Sequence, residues 1–558
     1  MTGRLPLVVF AVCALLLVSA PASAQTDQPR TGGTLRMAQA PTGPTTLNHY
    51  FTSDSSAYYL ANLNLEGLAR VAPDGSFEPI LAAEVPTQAN GDVSPDGTVV
   101  TWKLKPGVTW SDGQPFTSAD VVYTYQMIMD PANPVLSRVD YAVIDSVVAA
   151  DENTVVVTYK QLYAPYRLAF PSILPQHIFD GRTNIAQDPF NTAPTVSTGP
   201  FVFKSWAAGD SITFERNPKY REPGKPYLDQ LIVKFMPDKA TEVQALEAGD
   251  VDAAWFLDPT FLPQLATLPD VSVNPAPGPL PGFWQLFVNA SCSTGTQQGD
   301  PGCPHPVLGD LRVRQAIDMA IDKQALVDTL MQDKVQVAGS TLPVGPYAVP
   351  LTPTSFNPAA AQQLLDQAGW IVGADGVRSK NGVRAHLSMI NGLGNRLAEE
   401  TSQVIAGDLQ NIGIETESRE LPPPVLTGGF PANSPLSLGS FDLVLILRII
   451  PIDPQAYLRS NFSSDQVPSP SLQTGGNFDR LQDPVVDQAL AAAGSTLDDT
   501  QRRAAYATVA TQIQADEAVI PLFPSLQVDA RKNYVEGWGP TNVNDYVTWN
   551  AADWWLDQ

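Results

Sequence analysis

The sequence has few of the residues that metal centres and disulfide frameworks require. It contains four histidines and three cysteines in 558 residues. None of the histidines, His49, His177, His305 and His386, is three or four positions from another, the spacing that places two imidazoles on one helical face. A metal site is therefore not encoded by local spacing, and we expect no metal and no cofactor.

Positive charge is also scarce. The 33 Lys and Arg residues against 57 Asp and Glu residues give a formal net charge of −24, which repels phosphate backbones and anionic lipid surfaces. A nucleic-acid partner is therefore not expected. Charged residues make up only 16% of the chain and hydrophobic residues 44%, so enough apolar surface is present for a large core.

Long hydrophobic runs are missing except at the amino terminus. Arg4 precedes an apolar run over residues 5–18, and residues 20–24 supply the small residues of an A-x-A cleavage site. The run is shorter than the roughly 18 residues of a membrane span. Val12 before Cys13 disfavours a lipoprotein anchor. The pattern predicts a signal peptide over residues 1–24 and a periplasmic or otherwise extracytoplasmic mature protein.

Signatures of common enzyme classes are absent. The sequence has no G-x-x-x-x-G-K-[ST] phosphate loop and no G-x-S-x-G nucleophile motif, and Leu397 occupies the third glycine position of the segment that begins at Gly392. We therefore expect no enzyme. Aspartates and glutamates are too numerous for one pair to be chosen as the acid and base of a hydrolase.

Cys292 and Cys303 are the two cysteines outside the predicted signal peptide, and they flank a polar, glycine-rich stretch. In an exported protein this arrangement predicts a loop-closing disulfide, worth about 3 kcal/mol in the chain-entropy model. A reactive thiol or metal site is the alternative, but the segment has no C-x-x-C motif.

Hydrophobic periodicity indicates mixed α and β structure. Alternation predicts strands around residues 100–105, 154–159 and 231–235, and the unbroken apolar run 443–447 is typical of a buried strand. Helical spacing predicts helices over residues 311–331, 397–412 and 502–514. The sequence therefore predicts an α/β protein.

Several motifs occur in an order that resembles a known family. They are Gly32–Ala38, Ser94–Gly97 leading through Thr101–Gly113 to Pro115–Val121, Ser197–Phe201, Asn217–Tyr220, Ala248–Asp252, Leu311–Ile317 with Asp322 and Lys323, and Asp366–Trp370. Together they resemble the extracellular solute-binding proteins of family 5, the oligopeptide-, dipeptide- and nickel-binding proteins of ABC importers. The resemblance covers essentially the whole mature chain.

The resemblance implies a two-lobed periplasmic-binding-protein fold of type II, in the large cluster with an extra domain, that closes about a Venus-flytrap hinge. We expect the two connections between the lobes near Phe283–Asn289 and Ile520–Phe523. The expected domains are domain I at 25–75, 196–285 and 524–558, domain II inserted at 76–195, and domain III, the second lobe, at 286–523.

The resemblance further implies capture of a peptide-like or other small organic solute and its delivery to ABC permease subunits, by a monomer. Two alternatives remain open. One is a secreted hydrolase, and the other is a sensory binding protein that presents its ligand to a receptor.

Candidate ligand-binding residues come from segments expected to face the cleft. Trp284 lies in the first expected connection, although ordinary core packing is an equally good interpretation of a tryptophan. Asn391 and Asn395 lie on an expected loop before the helix at 397, where they would face either the cleft or water.

One departure from the family bears on the ligand. In peptide-binding members a Trp and an Asp three residues later end a buried strand, shortly before an acidic residue and a proline, and the Asp pairs with the peptide ammonium. Aligned on Asp453 and Pro454, this chain has Leu447 and Ile450 at those positions. Arg448 either holds an anionic group or forms a structural ion pair. Free-amino peptides are therefore expected to bind poorly unless Asp453 or another carboxylate substitutes for the missing Asp.

Overall fold

The computed structural model describes residue 3 and residues 28–39, 43–52, 54–277, 282–393, 395–427, 429–430, 433–470, 472, 475–539 and 547–558. Apart from Gly3, the predicted signal peptide lies outside the described residues.

The strands, in chain order, are β1 (Thr34–Gln39), β2 (Ala69–Val71), β3 (Phe77–Pro79), β4 (Val99–Lys103), β5 (Ile144–Asp151), β6 (Thr154–Tyr159), β7 (Phe201–Ala207), β8 (Ser211–Arg216), β9 (Gln230–Phe235), β10 (Ala253–Leu257), β11 (Val271–Pro277), β12 (Gly282–Val288), β13 (Ile371–Val372), β14 (Arg378–Lys380), β15 (Val383–Arg384), β16 (His386–Gly392), β17 (Glu415–Leu421), β18 (Leu443–Ile449), β19 (Val519–Pro524), β20 (Leu526–Lys532), β21 (Val535–Glu536) and β22 (Trp555–Leu556).

The α-helices are α1 (Ser55–Ala61), α2 (Ser118–Met129), α3 (Val139–Ala142), α4 (Gln176–Phe179), α5 (Lys239–Ala248), α6 (Leu262–Leu265), α7 (Leu311–Ala320), α8 (Lys323–Leu330), α9 (Pro358–Gln367), α10 (Arg396–Asn411), α11 (Pro423–Thr427), α12 (Pro435–Leu438), α13 (Gln455–Phe462), α14 (Pro484–Gly494) and α15 (Asp499–Asp516). Short 3-10 helices lie at His49–Phe51, Ala164–Leu168, Ile185–Gln187, Pro189–Asn191, Pro259–Phe261, Ser464–Gln466 and Val547–Asp553.

The first lobe contains a seven-stranded sheet in the order β11-β20-β10-β1-β9-β8-β7. Strand β1 is parallel to both of its neighbours, with Leu35 opposite Leu231 and Met37 opposite Ala253. These side chains are fully buried, as the alternating pattern of β9 predicts for a strand with one face on the core. The sheet as a whole also contains β20, so it combines strands from both ends of the chain.

A three-stranded sheet, β4-β6-β5, forms a separate core beside it. The predicted alternation is confirmed, since Val100, Trp102 and Leu104 are buried. Thr117 caps α2 and forms a capping box with Asp120, which fixes where this helix begins. Leu68, which precedes β2, packs in the same core, so this sheet belongs to the first lobe.

The second lobe is built on a five-stranded sheet in the order β17-β16-β18-β12-β19. Strands β17, β16 and β18 are parallel, and β12 is antiparallel to β18 and β19. One face packs with residues of α7, α8 and α10, and the opposite face packs with residues of α13, α14 and α15. Because both faces are covered, the 443–447 run is continuously apolar, as predicted for a buried strand.

The helix predicted over residues 311–331 is two helices, so that prediction is wrong as one continuous element. Helix α7 ends at Ala320, Ile321 has an extended backbone, and the Asp322 side chain caps α8 by accepting from the Ala325 amide. An aspartate competes with the helix for backbone amides and therefore begins a new helix at this point. The predicted helices over 397–412 and 502–514 correspond to α10 and α15.

The connections between the lobes lie a few residues from the expected positions. The two segments expected as connections form β12 and β19, which pair with each other inside the second-lobe sheet. Ser525 alone links β19 to β20 of the first-lobe sheet, and its amide donates to the Gly282 carbonyl over 2.8 Å. Residues 278–281, between β11 of the first-lobe sheet and β12 of the second-lobe sheet, lie outside the described residues. The expected domain boundaries stay predictions.

Candidate functional site

The end of strand β18 places Leu447 and Arg448 on opposite faces of the second-lobe sheet. Leu447 lies opposite Trp284 of β12, and Arg448 lies opposite Phe283. Leu447 and Trp284 pack against the core that holds α7, α8 and α10. Arg448 shares the other face with Phe287.

Arg448 forms no ion pair with any carboxylate of the described residues. Its guanidinium carbon lies 5.1 Å from the centre of the Phe287 ring and 5.3 Å from that of the Phe478 ring. Burial lowers the pKa of this guanidinium, which also interacts electrostatically with the Tyr457 phenol. The structural ion pair considered from the sequence is thus absent from this part of the chain, and aromatic rings hold the cation instead.

Asp453 is engaged in an ion pair within the second lobe. Arg502 of α15 donates from Nη1 to Oδ2 and from Nη2 to Oδ1, both over 2.7 Å. The Tyr506 hydroxyl lies 3.3 Å from Oδ1. The Asp453 and Arg502 side chains are 8% and 3% exposed. This carboxylate is consequently neutralised by a buried neighbour, and Ile450 beside it is buried among apolar side chains.

The remaining candidate residues are mostly inside the second lobe. Trp284 is 5% exposed and packs in the core. Asn391 lies in β16 and is buried, with no partner for its Oδ1. Asn395 is the cap of α10, accepting from the Ala398 amide over 3.0 Å. The loop expected to carry both asparagines is therefore strand end and helix cap, because β16 continues to Gly392.

Cys292 and Cys303 are joined, with their Cα atoms 5.4 Å apart. The Cys292 amide also donates to the Cys303 carbonyl over 2.7 Å. The bridge closes the loop between Ser291 and Pro304, which themselves form an isolated β-bridge.

One concave space among the described residues begins in the first lobe. It encloses about 570 Å³, part of it open to solvent, and its walls include Tyr58, Arg70 and Trp549. The Arg70 guanidinium carbon lies 5.0 Å from the centre of a Trp549 ring, and Arg70 donates to Glu78 and to the Trp549 carbonyl. An aromatic surface and a guanidinium therefore form one wall.

A second space of about 360 Å³ continues from the first toward the other lobe. The two share Phe77, Arg167 and Leu168 as wall residues. On the far side the walls include Tyr347, Asp453, Asp499 and Arg502 of the second lobe. The two spaces together form an inter-lobe cavity, defined here by these wall residues.

Two first-lobe glycines mark where the lobes meet beside this cavity. A Cβ built on Gly75 would lie 2.6 Å from the Pro346 ring, and one on Gly97 would lie 3.2 Å from Leu497. Both glycines have positive φ angles, so a side chain is disfavoured by backbone conformation as well as by space. The lobes are therefore in contact beside the cavity.

Arg167 is the cationic residue of the cavity that lacks a carboxylate partner among the described residues. Its Nε donates to the Tyr166 hydroxyl over 3.1 Å, and its guanidinium carbon lies 5.5 Å from the centre of the Phe77 ring. By contrast, Arg70 pairs with Glu78 over 3.0 Å. The cavity thus has a planar donor group that is available to a ligand.

Comparison with known proteins identifies the family. The model for bacterial extracellular solute-binding proteins, family 5 Middle, matches residues 76–469, which is well over half of the chain. The chain belongs to this family. Protein XP55 of Streptomyces lividans is 28% identical over 458 residues, covering 81% of this chain and 77% of the relative. Di/tripeptide-binding protein 2 of Pseudomonas aeruginosa is 27% identical over 571 residues, covering 95% and 97%.

A solved structure supports the fold independently. The ABC transporter substrate-binding protein CtaP of Listeria monocytogenes superposes with a TM-score of 0.78 at 22% identity, covering 95% of this chain and all of the other. The protein therefore has the two-lobed α/β fold of the family 5 solute-binding proteins. Solute binding for ABC import is the function of this family, whose members are binding proteins and not enzymes, and the hydrolase and sensory alternatives are not favoured.

The cavity residues were missed by sequence reasoning because they are scattered along the chain. Tyr58, Arg70, Arg167 and Trp549 come from four separate parts of the chain, and no motif marks them. Arg167 follows Pro165 and Tyr166 in a short 3-10 helix, a context that carries no local sign of binding. Only the tertiary packing of the first lobe brings these side chains together.

Within the part of the chain that the structure describes, no cluster of three or more His, Cys, Asp or Glu side chains is arranged to hold a metal ion. Over the same residues, none of the helices combines the length and apolar character needed to cross a membrane.

Proposed function

We propose that the protein is exported by residues 1–24, encloses a small organic solute in the inter-lobe cavity and delivers it to the permease subunits of an ABC importer. The solute carries an anionic group, and any peptide that binds has a blocked amino terminus. The binding unit is a monomer. Family membership supports the transport role, and the side chains of the cavity support the class of solute.

The observation that carries the ligand class is the ion pair of Asp453. A peptide ammonium needs a carboxylate, because a buried charge without a partner costs several kcal/mol. Both oxygens of Asp453 already accept from Arg502, and the neighbouring positions hold Leu447 and Ile450. An ammonium group at this end of β18 would therefore have to compete with a buried guanidinium for the same carboxylate.

An anionic group of the solute, in contrast, would find a cationic side chain in the cavity. Arg167 faces both parts of the cavity and forms no ion pair within the described chain. Its guanidinium presents a planar fork that matches a carboxylate. The aromatic rings of Phe77 and Trp549 offer flat apolar surface beside it, so an anionic solute with an apolar or planar body suits this cavity.

Calorimetry with trialanine and N-acetyl-trialanine tests the ligand class. The acetylated peptide is expected to bind more tightly, because it has a carboxylate and no ammonium. Arg167→Met is expected to weaken its binding at least tenfold, the usual scale for a charge-assisted hydrogen bond. Arg459→Met is the matched control, since Arg459 is exposed and pairs with Asp465 away from the cavity.

Tight binding of trialanine that depends on its free amino terminus would contradict the proposed ligand class. Hinge closure is tested by small-angle scattering with a solute that raises the melting temperature. A solute in hundredfold excess over its Kd stabilises the native state by about 2.7 kcal/mol. Absence of compaction with such a solute would contradict capture between the lobes.

A further inference from the structure

Arg448 presents an unused hydrogen-bonding edge in the interior of the second lobe. Both Nε and Nη2 are buried and have no partner among the described residues. These two atoms form the side of the guanidinium from which two parallel N–H bonds reach the two oxygens of one carboxylate. Buried polar groups in proteins are generally paired, so an orphaned bidentate edge is an unusual feature.

Two adjacent phenylalanine rings help to keep this edge in place. Phe287 and Phe478 lie 5.1 and 5.3 Å from the guanidinium carbon and 6.0 Å from each other. Aromatic faces favour a nearby cation but accept no in-plane N–H bonds. The two rings thus restrict the guanidinium while leaving its donors unsatisfied, which is a geometry prepared for an acceptor in the plane of the group.

Two further groups beside Arg448 have no hydrogen-bond partner in the part of the chain that the structure describes. The Tyr457 hydroxyl is buried and unpaired and interacts electrostatically with Arg448. Burial raises the pKa of this phenol, which keeps it protonated as a donor. Gln285 lies on the same sheet face between Phe283 and Phe287, is fully buried, and has neither amide atom paired. Donors therefore outnumber acceptors around this point.

We propose that Arg448 and Tyr457 form a carboxylate-binding site in the second lobe, with the Nε and Nη2 edge of Arg448 holding both oxygens and the Tyr457 hydroxyl donating to one of them. The carboxylate belongs either to the solute or to a small free acid such as formate. In the first case the inference rests on the proposed function. In the second case the inference does not depend on the proposed function.

Formate is the probe for the site itself. Sodium formate is expected to raise the melting temperature of the purified protein relative to sodium chloride at equal ionic strength. It is also expected to shift the Arg448 Nε–H signal downfield in a ¹⁵N–¹H spectrum. Arg448→Lys keeps the charge but loses the bidentate edge, so formate affinity is expected to fall at least tenfold, and Tyr457→Phe is expected to reduce it severalfold.

Arg448→Met separates binding from a structural role. If the unpaired cation serves a ligand, this variant without formate melts at or above the wild-type temperature and no longer responds to formate. The proposal is overturned if formate leaves the melting temperature and the Nε–H signal of the wild type unchanged. It is equally overturned if Arg448→Lys and Tyr457→Phe bind formate as the wild type does.

A second arm distinguishes the source of the carboxylate. N-acetyl-alanyl-alanine is compared with its C-terminal amide in the wild type and in Arg448→Lys. A preference for the free acid that disappears in the variant assigns the site to the solute. Formate binding through Arg448 without any binding of the peptide contradicts the proposed ligand class and leaves the site standing. Peptide binding that is unchanged in Arg448→Lys, with no formate effect, rejects the site and leaves the proposed function standing.

Discussion

The buried ion pair between Asp453 and Arg502 allows a quantitative prediction about the stability of the second lobe. Substitution of Arg502 by Met removes two bonds of 2.7 Å and leaves a carboxylate that is 8% exposed. Within the described residues, the Tyr506 hydroxyl at 3.3 Å and the backbone amide of Gln455 at 3.0 Å remain as donors to Asp453. Neither carries a charge, so the carboxylate stays uncompensated.

Removing one partner of a buried ion pair typically lowers the free energy of unfolding by about 3 to 5 kcal/mol, because the remaining charge is neither hydrated nor paired. For a cooperative unit of 150 to 250 residues, 1 kcal/mol changes the melting temperature by about 2 to 4 °C. Arg502→Met is therefore expected to lower the melting temperature of the second lobe by about 6 to 20 °C, measured by differential scanning calorimetry.

An exposed pair of the same geometry is the control. Arg459 and Asp465 are also 2.7 Å apart, but their side chains are 55% and 57% exposed. Arg459→Met should cost less than about 1 kcal/mol, as exposed pairs do. Replacing both partners, as Asp453→Asn with Arg502→Met, should recover part of the loss. Equal effects of Arg502→Met and Arg459→Met would refute the reasoning, since burial would then make no difference.

Three further predictions concern pH, the disulfide and fluorescence. Burial raises the pKa of Asp479 from 3.8 to about 7; the folded state therefore favours the protonated form, and stability is lost as pH rises through this window. Asp479→Asn should thus gain stability relative to wild type between pH 5 and pH 8 in urea unfolding, and a constant difference would contradict this. Reducing the bridge between Cys292 and Cys303 should destabilise the second lobe by up to about 3 kcal/mol, measured as a lower melting temperature with dithiothreitol; an unchanged melting temperature would mean that the bridge contributes nothing. Trp549→Phe should abolish the ligand-dependent change in tryptophan fluorescence, because Trp549 lines the cavity; loss of the signal only in Trp284→Phe would instead support the cleft position predicted for Trp284.

Elements governed by local pattern could be predicted from the sequence. The 154–159 strand, the 443–447 core of β18 and the helix near 397–412 follow hydrophobic periodicity, which reflects the geometry of the strand and helix themselves. Family membership could also be inferred, because eight or so motifs recur in order. The break at Ile321 could not be predicted, because the apolar stripe continues past it and a single capping aspartate begins a new helix there.

For the candidate site, the sequence predicted one feature and the structure was needed for another. The absence of an acidic residue at position 450 is a property of the sequence, and it already weighed against a peptide ammonium. The sequence left Asp453 open as a substitute. Its pairing with Arg502, 49 positions away, depends on how α15 packs beside the end of β18.

Sequence alone determined the secondary structure of the regular segments, the family and the net charge, because each depends on residue type and local order. Tertiary structure alone decided which charges remain unpaired. Arg448 and Arg502 are both arginines of the second lobe, yet Arg448 lies against two phenylalanine rings and Arg502 forms an ion pair with a carboxylate. The difference arises from contacts between residues far apart in the chain, and such contacts are set by the packing of sheets and helices around a shared core.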